Sequence, residues 1–191
     1  LRPQNNNGVV WANQFDNVAN AKAHYETTGK EIWEQTDGKV DGFICSSGTG
    51  GTISGVSNAL KEKNKDIKIY LADPKGSSMY NYVKSGELKS EGSSITEGIG
   101  SSRVTKNFEK ARVDNAFSVD DKEALPVLYN LIKHEGLSLG TSCAINVCGA
   151  IKMAKELGPG KTIVTILCDK SDKYNSKMFN KSFLKEKGLP Y

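Results

Sequence analysis

Val40-Asp-Gly-Phe-Ile-Cys45 runs directly into Ser46-Ser-Gly48-Thr49-Gly50-Gly51-Thr52-Ile53-Ser54-Gly55. The first six residues predict a strand that a glycine cluster cuts off, and a helix is expected from about Gly51 to Lys63. Glycines between a strand and a helix let the backbone approach a ligand closely. The helix start adds free N–H groups and the positive end of its dipole. Together these make an anion site, phosphate above all, to which Thr49 and Thr52 can add hydroxyl donors. The alternative is a plain turn with glycines for packing, but three glycines within residues 48–51 are more than a turn needs.

Upstream of this loop a helix is expected from about Asn17 to Thr28, stopped by Gly29. A second short helix holds Glu31, Ile32 and Trp33. Downstream, Ile67-Lys-Ile-Tyr-Leu-Ala72 reads as a strand ending at Asp73-Pro74, and residues 74–115 are weakly patterned. Asp120-Asp-Lys-Glu123 is a capping box opening a helix that reaches His134 and closes on Gly136. Its apolar positions Leu125, Leu128, Leu131 and Ile132 follow helical spacing. Another helix is expected from about Ser142 to Leu157, stopped by Gly158-Pro-Gly160. Thr162-Ile-Val-Thr-Ile-Leu-Cys168 is apolar on both faces, as a buried parallel strand should be. Residues 173–187 predict a terminal helix. The alternation implies an α/β fold: an open, mostly parallel twisted sheet flanked by helices, with no internal domain boundary.

Composition narrows the function classes. Hydrophobic residues at 37% and charged residues at 25% exclude a disordered or fibrous chain, and 191 residues suit one domain. The net charge of +4 is spread along the chain and does not favour nucleic acid. No apolar run approaches the ~20 residues of a membrane span. Cys45, Cys143, Cys148 and Cys168 show no Cys-x-x-Cys spacing, and only His24 and His134 accompany them, so no metal site is expected. All four cysteines read as buried, reduced thiols, which favours a reducing compartment. His24 reads as a structural helix residue, His134 as a solvent-facing one near a helix C-terminus, and Lys61 and Lys63 as surface lysines.

Two other phosphate readings are weaker. A dinucleotide fingerprint starting at Gly48 needs glycine at 53, where Ile53 stands, although Asp73 falls where a ribose-binding acid would. Gly160-Lys161-Thr162 suggests a P-loop, but Lys155 occupies the first glycine position and the stretch precedes a strand.

The sequence resembles the cysteine synthases (O-acetylserine sulfhydrylases), pyridoxal-phosphate enzymes of fold type II. Gly48-Thr-Gly-Gly-Thr52 resembles their phosphate loop. Gln14-Phe-Asp-Asn-Val-Ala-Asn20, His24 and Thr28-Gly-Lys-Glu-Ile-Trp33 resemble the segment before it. Thr96-Glu-Gly-Ile-Gly100 resembles a turn lining the active-site cleft. Glu135-Gly136 through Ser142 resembles the turn that meets the pyridine ring, and Thr165-Ile-Leu-Cys-Asp169 with Tyr174 resembles the last strand.

The resemblance implies the larger, C-terminal cofactor-binding part of such an enzyme over residues 1–191. Gly48, Thr49, Gly50, Gly51 and Thr52 would hold the phosphate of pyridoxal 5'-phosphate, and Ser142 would face the pyridine nitrogen. Gln14 and Gly98 would contact the amino-acid substrate. For Ser142 a helix N-cap is the plainer alternative. No catalytic residue is assigned, because the family's Schiff-base lysine and Ser/Thr-Asn loop lie in an upstream half that is expected before Leu1. Three departures stand out: Ser101-Ser102 after the glycine turn, Gly140-Thr-Ser142-Cys-Ala144 at the pyridine site, and Ser171 and Lys173 near the last strand. They leave open a diverged or non-catalytic cofactor-binding paralogue, or a related β-eliminating enzyme such as a serine dehydratase or cystathionine β-synthase. A homodimer is expected, without nucleic-acid or membrane partners, in the cytoplasm or an organelle such as the mitochondrion.

Overall fold

In a computed structural model that describes Gly8 and residues 10–191, the quoted stretch becomes strand β1, Gly42–Cys45, and helix α3, Gly51–Lys63. The start at Leu1 lies outside the described residues. Three more strands complete one sheet: β2, Lys68–Pro74; β3, Asn115–Val119; and β4, Ile163–Thr165. All pairings are parallel and the spatial order is β3-β2-β1-β4.

The side chains of β1 and β2 alternate between two apolar layers. Phe43, Cys45, Ile69 and Leu71 pack with Ile53, Val56 and Leu60 of α3. Ile44, Tyr70 and Ala72 pack with helices α5, Asp121–Glu135, and α6, Thr141–Leu157. Burial on both faces explains why these strands read as continuous apolar runs.

Several expectations change in detail. The two upstream helices are α1, Ala19–Glu26, and α2, Thr28–Gln35, the first shorter and the second longer than expected. Gly29 lies inside α2 and stops nothing. A Cβ there would sit 2.5 Å from the Ala59 Cβ, so this glycine lets α2 close on α3. The weakly patterned stretch holds helix α4, Met79–Ser85, and is followed at once by the unpredicted β3. Asp120 caps α5 by accepting the Lys122 N–H, but Glu123 pairs with Lys152 at 2.9 Å. β4 is three half-buried residues on the sheet edge, where it has one neighbour strand, so the buried seven-residue strand is corrected. Cys168, beyond its end, is exposed. The terminal helix breaks into a short turn, α7, Asn175–Met178, and α8, Lys181–Glu186. Lys61 is buried rather than superficial, paired with Asp114 at 2.7 Å.

Asp73 at the end of β2 is fully buried. One oxygen accepts the Tyr80 N–H at 2.7 Å and the other has no partner. It is enclosed, so it cannot serve as a ribose-binding acid. Burial raises its pKa to about 6. A carboxyl raised on folding favours the native state below its unfolded pKa, and that advantage disappears as pH rises through about 6. Asp73→Asn is therefore expected to remove a fall in stability of a few kcal/mol between about pH 4 and 6. Urea denaturation of both proteins across that range checks it; parallel pH profiles contradict it.

Candidate functional site

In an open parallel sheet, ligands bind beyond the strand C-termini where the strand order reverses. Here β1 leads through α3 to β2 on one side, whereas β4 returns to its other side. The switch point thus lies between β1 and β4, and the glycine loop, residues 46–50, emerges beside it.

Gly50 is the N-cap of α3, with φ of +85°, and no side chain caps this helix. A Cβ on Gly50 would lie 2.8 Å from the Phe108 backbone nitrogen. Among the described residues the N–H groups of Thr52 and Ile53 find no protein acceptor, whereas Gly51 N–H reaches Thr49 Oγ1 at 3.3 Å. Thr49 Oγ1 also accepts Asn20 Nδ2 at 3.0 Å. Two donors point at that oxygen, so its own proton is free to face outward. Thr105 Oγ1 clamps the loop by donating to the Thr49 carbonyl at 2.6 Å.

Thr52 is less free. Its hydroxyl bonds to His24 Nε2 at 3.2 Å, and His24 Nδ1 bonds to Thr28 Oγ1 at 3.0 Å. Burial lowers the His24 pKa, which keeps the ring neutral and fits a structural role. The cradle therefore consists of a helix start, backbone N–H groups and the Thr49 hydroxyl. A phosphate fits that donor set.

Gly98 belongs to a turn that docks on this loop. Gly100 N–H donates to the Ser47 carbonyl at 2.8 Å, and a Cβ on Gly48 would meet the Gly98 oxygen at 2.5 Å. Gly98 itself faces open space. The substituted Ser101 is built into the turn: its hydroxyl donates to the Arg103 carbonyl at 2.6 Å. Gln14 is exposed, and its carbonyl accepts from Asn20 and Asn107 at 3.0 Å each. Asn20 thus joins the Gln14 segment to the phosphate loop.

Ser142 lies across the switch point, in the first turn of α6. Gly140 is the N-cap, so the capping alternative for Ser142 does not hold. Ser142 is buried, and its hydroxyl is free of helix-capping duty. Ser171 and Lys173 are accommodated locally, bonding to Ser138 Oγ at 2.7 Å and approaching Asp169 at 3.8 Å.

One important residue escapes sequence reasoning. Asn146 is fully buried in α6. Its Oδ1 accepts the Ser46 N–H at 2.7 Å, and its Nδ2 donates to the Ile166 carbonyl at 2.7 Å. It bridges the exits of β1 and β4 and fixes Ser142 relative to the phosphate loop. An asparagine within an apolar helical stretch was the available signal, because a buried amide needs partners. Among the described residues no helix is long and apolar enough to cross a membrane, and no cluster of metal-ligating side chains occurs.

The chain is similar to known proteins. Over 188 residues the chain is 47% identical to the cysteine synthase of Dictyostelium discoideum, covering 93% of this chain and 50% of that protein. It is 47% identical over 186 residues to cysteine synthase 1 of Emericella nidulans, covering 95% and 50%. The chain thus spans about half the length of these curated relatives. The crystal structure of an O-acetylserine dependent cystathionine beta-synthase from Helicobacter pylori superposes with a TM-score of 0.78 at 30% identity, covering 86% of this chain and 51% of that one. Residues 3–169 match the family described as pyridoxal-phosphate dependent enzyme. The donor set at the start of α3 suits the phosphate of that cofactor, and the chain belongs to the pyridoxal-phosphate dependent enzyme family.

Proposed function

We propose that these residues are the cofactor-binding part of a cysteine synthase, which replaces the acetoxy group of O-acetylserine with sulfide. The observation that carries this reading is the pairing of the uncapped start of α3 with Ser142 across the switch point. Pyridoxal phosphate, when bound, supplies the electron sink that makes an amino-acid α-proton acidic and its β-substituent labile.

The chain's own residues do the holding. The backbone N–H groups of Thr52 and Ile53 and the Thr49 hydroxyl bind the phosphate. Ser142 meets the pyridine nitrogen with a neutral hydroxyl, which leaves that nitrogen largely unprotonated and moderates the sink. The open Gly98 turn and the Gln14 side chain form the substrate side. Removal of the α-proton belongs to a lysine outside these residues. A homodimer is part of this reading, as is a cytoplasmic or organellar site.

Protein carrying all of its native residues, reconstituted with pyridoxal phosphate, is expected to release acetate and cysteine from O-acetylserine and sulfide. Cofactor binding without cysteine formation would favour the diverged paralogue, and cystathionine formed from homocysteine would favour the related synthase. Failure to bind the cofactor overturns the reading. Ser142→Ala is expected to keep cofactor binding yet lower kcat/KM about tenfold, the worth of one hydrogen bond at the ring. Steady-state kinetics with a parallel binding titration check this.

A further inference from the structure

Cys143 and Cys168 come from different elements and meet at the ring end of the crevice. Cys143 Sγ accepts the Cys168 backbone N–H at 3.1 Å, which places the Cys143 sulfur directly against residue 168. Their backbones are held in place. Gly140 N–H donates to the Asp169 carbonyl at 3.0 Å, and Leu139 bridges Lys170 in antiparallel fashion. Cys143 is fully buried, whereas Cys168 is exposed. One member is therefore reachable and the other waits behind it.

We propose that Cys143 and Cys168 are a reversible disulfide site, closed by small-molecule disulfides. Cys168 attacks such a disulfide, forming a mixed disulfide and releasing one small thiol, which carries off the Cys168 proton. The Cys143 sulfur then attacks the Cys168 sulfur and releases the second thiol with the Cys143 proton. Two protein thiols are oxidised, and one small disulfide is reduced to two thiols. Cys45 and Cys148 are buried, with Cys148 donating to the Glu123 carbonyl at 3.7 Å, so a small disulfide does not reach them.

Closure ties the Cys168 sulfur to Cys143, the neighbour of Ser142 in the first turn of α6. For the cofactor, this consequence rests on the function proposed above; formation of the bond does not. The test exposes the protein with its native residues to oxidised glutathione at about pH 8. A peptide pair linking Cys143 to Cys168, with an intact mass lower by about 2 Da, is expected, reversed by dithiothreitol. Cys143→Ser is expected to stop at a glutathione adduct on Cys168. A persistent adduct on Cys168 in the unsubstituted protein overturns the proposal, as does a Cys45–Cys168 link or a full set of free thiols. These readouts do not depend on the cofactor, so their failure is distinct from failure of the pyridoxal-phosphate reading. In a protein that binds the cofactor, the linked form is expected to hold it about tenfold more weakly, recovering on reduction. Equal affinity overturns the link to Ser142.

Discussion

Thr49→Asp is expected to abolish useful affinity for pyridoxal phosphate while leaving the fold as stable as before. The oxygen of Thr49 already accepts from Asn20 Nδ2 and from Gly51 N–H. A carboxylate at this position can accept both bonds. It also places a negative charge at the start of α3, which no side chain caps at present. Such a charge at a helix N-terminus contributes roughly 0.3–1 kcal/mol of stability. The same charge faces the dianionic phosphate at close range. Repulsion, together with loss of the outward hydroxyl proton, should lower affinity by about a hundredfold or more. Thr49→Ser retains the hydroxyl and should bind nearly as the parent does. A fluorescence titration with pyridoxal phosphate beside a thermal melt decides the matter. Parent-like cofactor binding by Thr49→Asp would remove the phosphate role from this loop.

Asn146→Leu should produce the largest loss of stability of any single change considered. Leucine is close in volume, so the cost arises from hydrogen bonding. The Ser46 N–H and the Ile166 carbonyl lose their partner in a site closed to water. Each orphaned buried group costs about 1–3 kcal/mol, so the sum is about 2–6 kcal/mol. For a chain of this size that lowers Tm by roughly 4–24 °C. Asn146→Asp separates the two halves, because a carboxylate can still accept from Ser46 but cannot donate to Ile166. Calorimetry on both variants checks the ordering, and a melt of Asn146→Leu within a degree or two of the parent would contradict it.

Much of the architecture is legible where chemistry is local. The glycine loop declares itself because strand, glycines and helix are consecutive. Helix α5 is announced by Asp120 and ended by Gly136, which takes the left-handed conformation. Gly29 misleads because a glycine that ends a helix and one that admits a neighbouring helix look alike in one dimension. Strand β3, Asn-Ala-Phe-Ser-Val, carries too little alternation to stand out from the polar stretch before it. For β4, apolar residues on both faces predict burial, but a strand's place in the sheet is settled by topology. Within the site, the glycine loop could be read from its residues, whereas the roles expected of Ser142, Gln14 and Gly98 come only with the family resemblance. The clamping roles of Asn20, Asn107 and Asn146 could not be read, because each depends on at least one partner far away in sequence. Lys61 was misread for the same reason, since Asp114 is distant along the chain.

The position of β4 also governs when the crevice exists. Thr165 Oγ1 donates to the Ile44 carbonyl at 2.7 Å across 121 residues of chain. One wall of the switch point is made early in synthesis, and the other emerges only after α5 and α6. At roughly 5–20 residues per second, the ribosome holds these walls apart for several seconds. Closing so long a loop must precede any contact that rewards it, which makes β1–β4 pairing a late event in folding. Cofactor capture is then expected as the last phase of refolding, later than the recovery of helical signal. Stopped-flow fluorescence with pyridoxal phosphate, compared with far-ultraviolet dichroism, measures that interval. The protein becomes a binding protein only once its most distant strands have met.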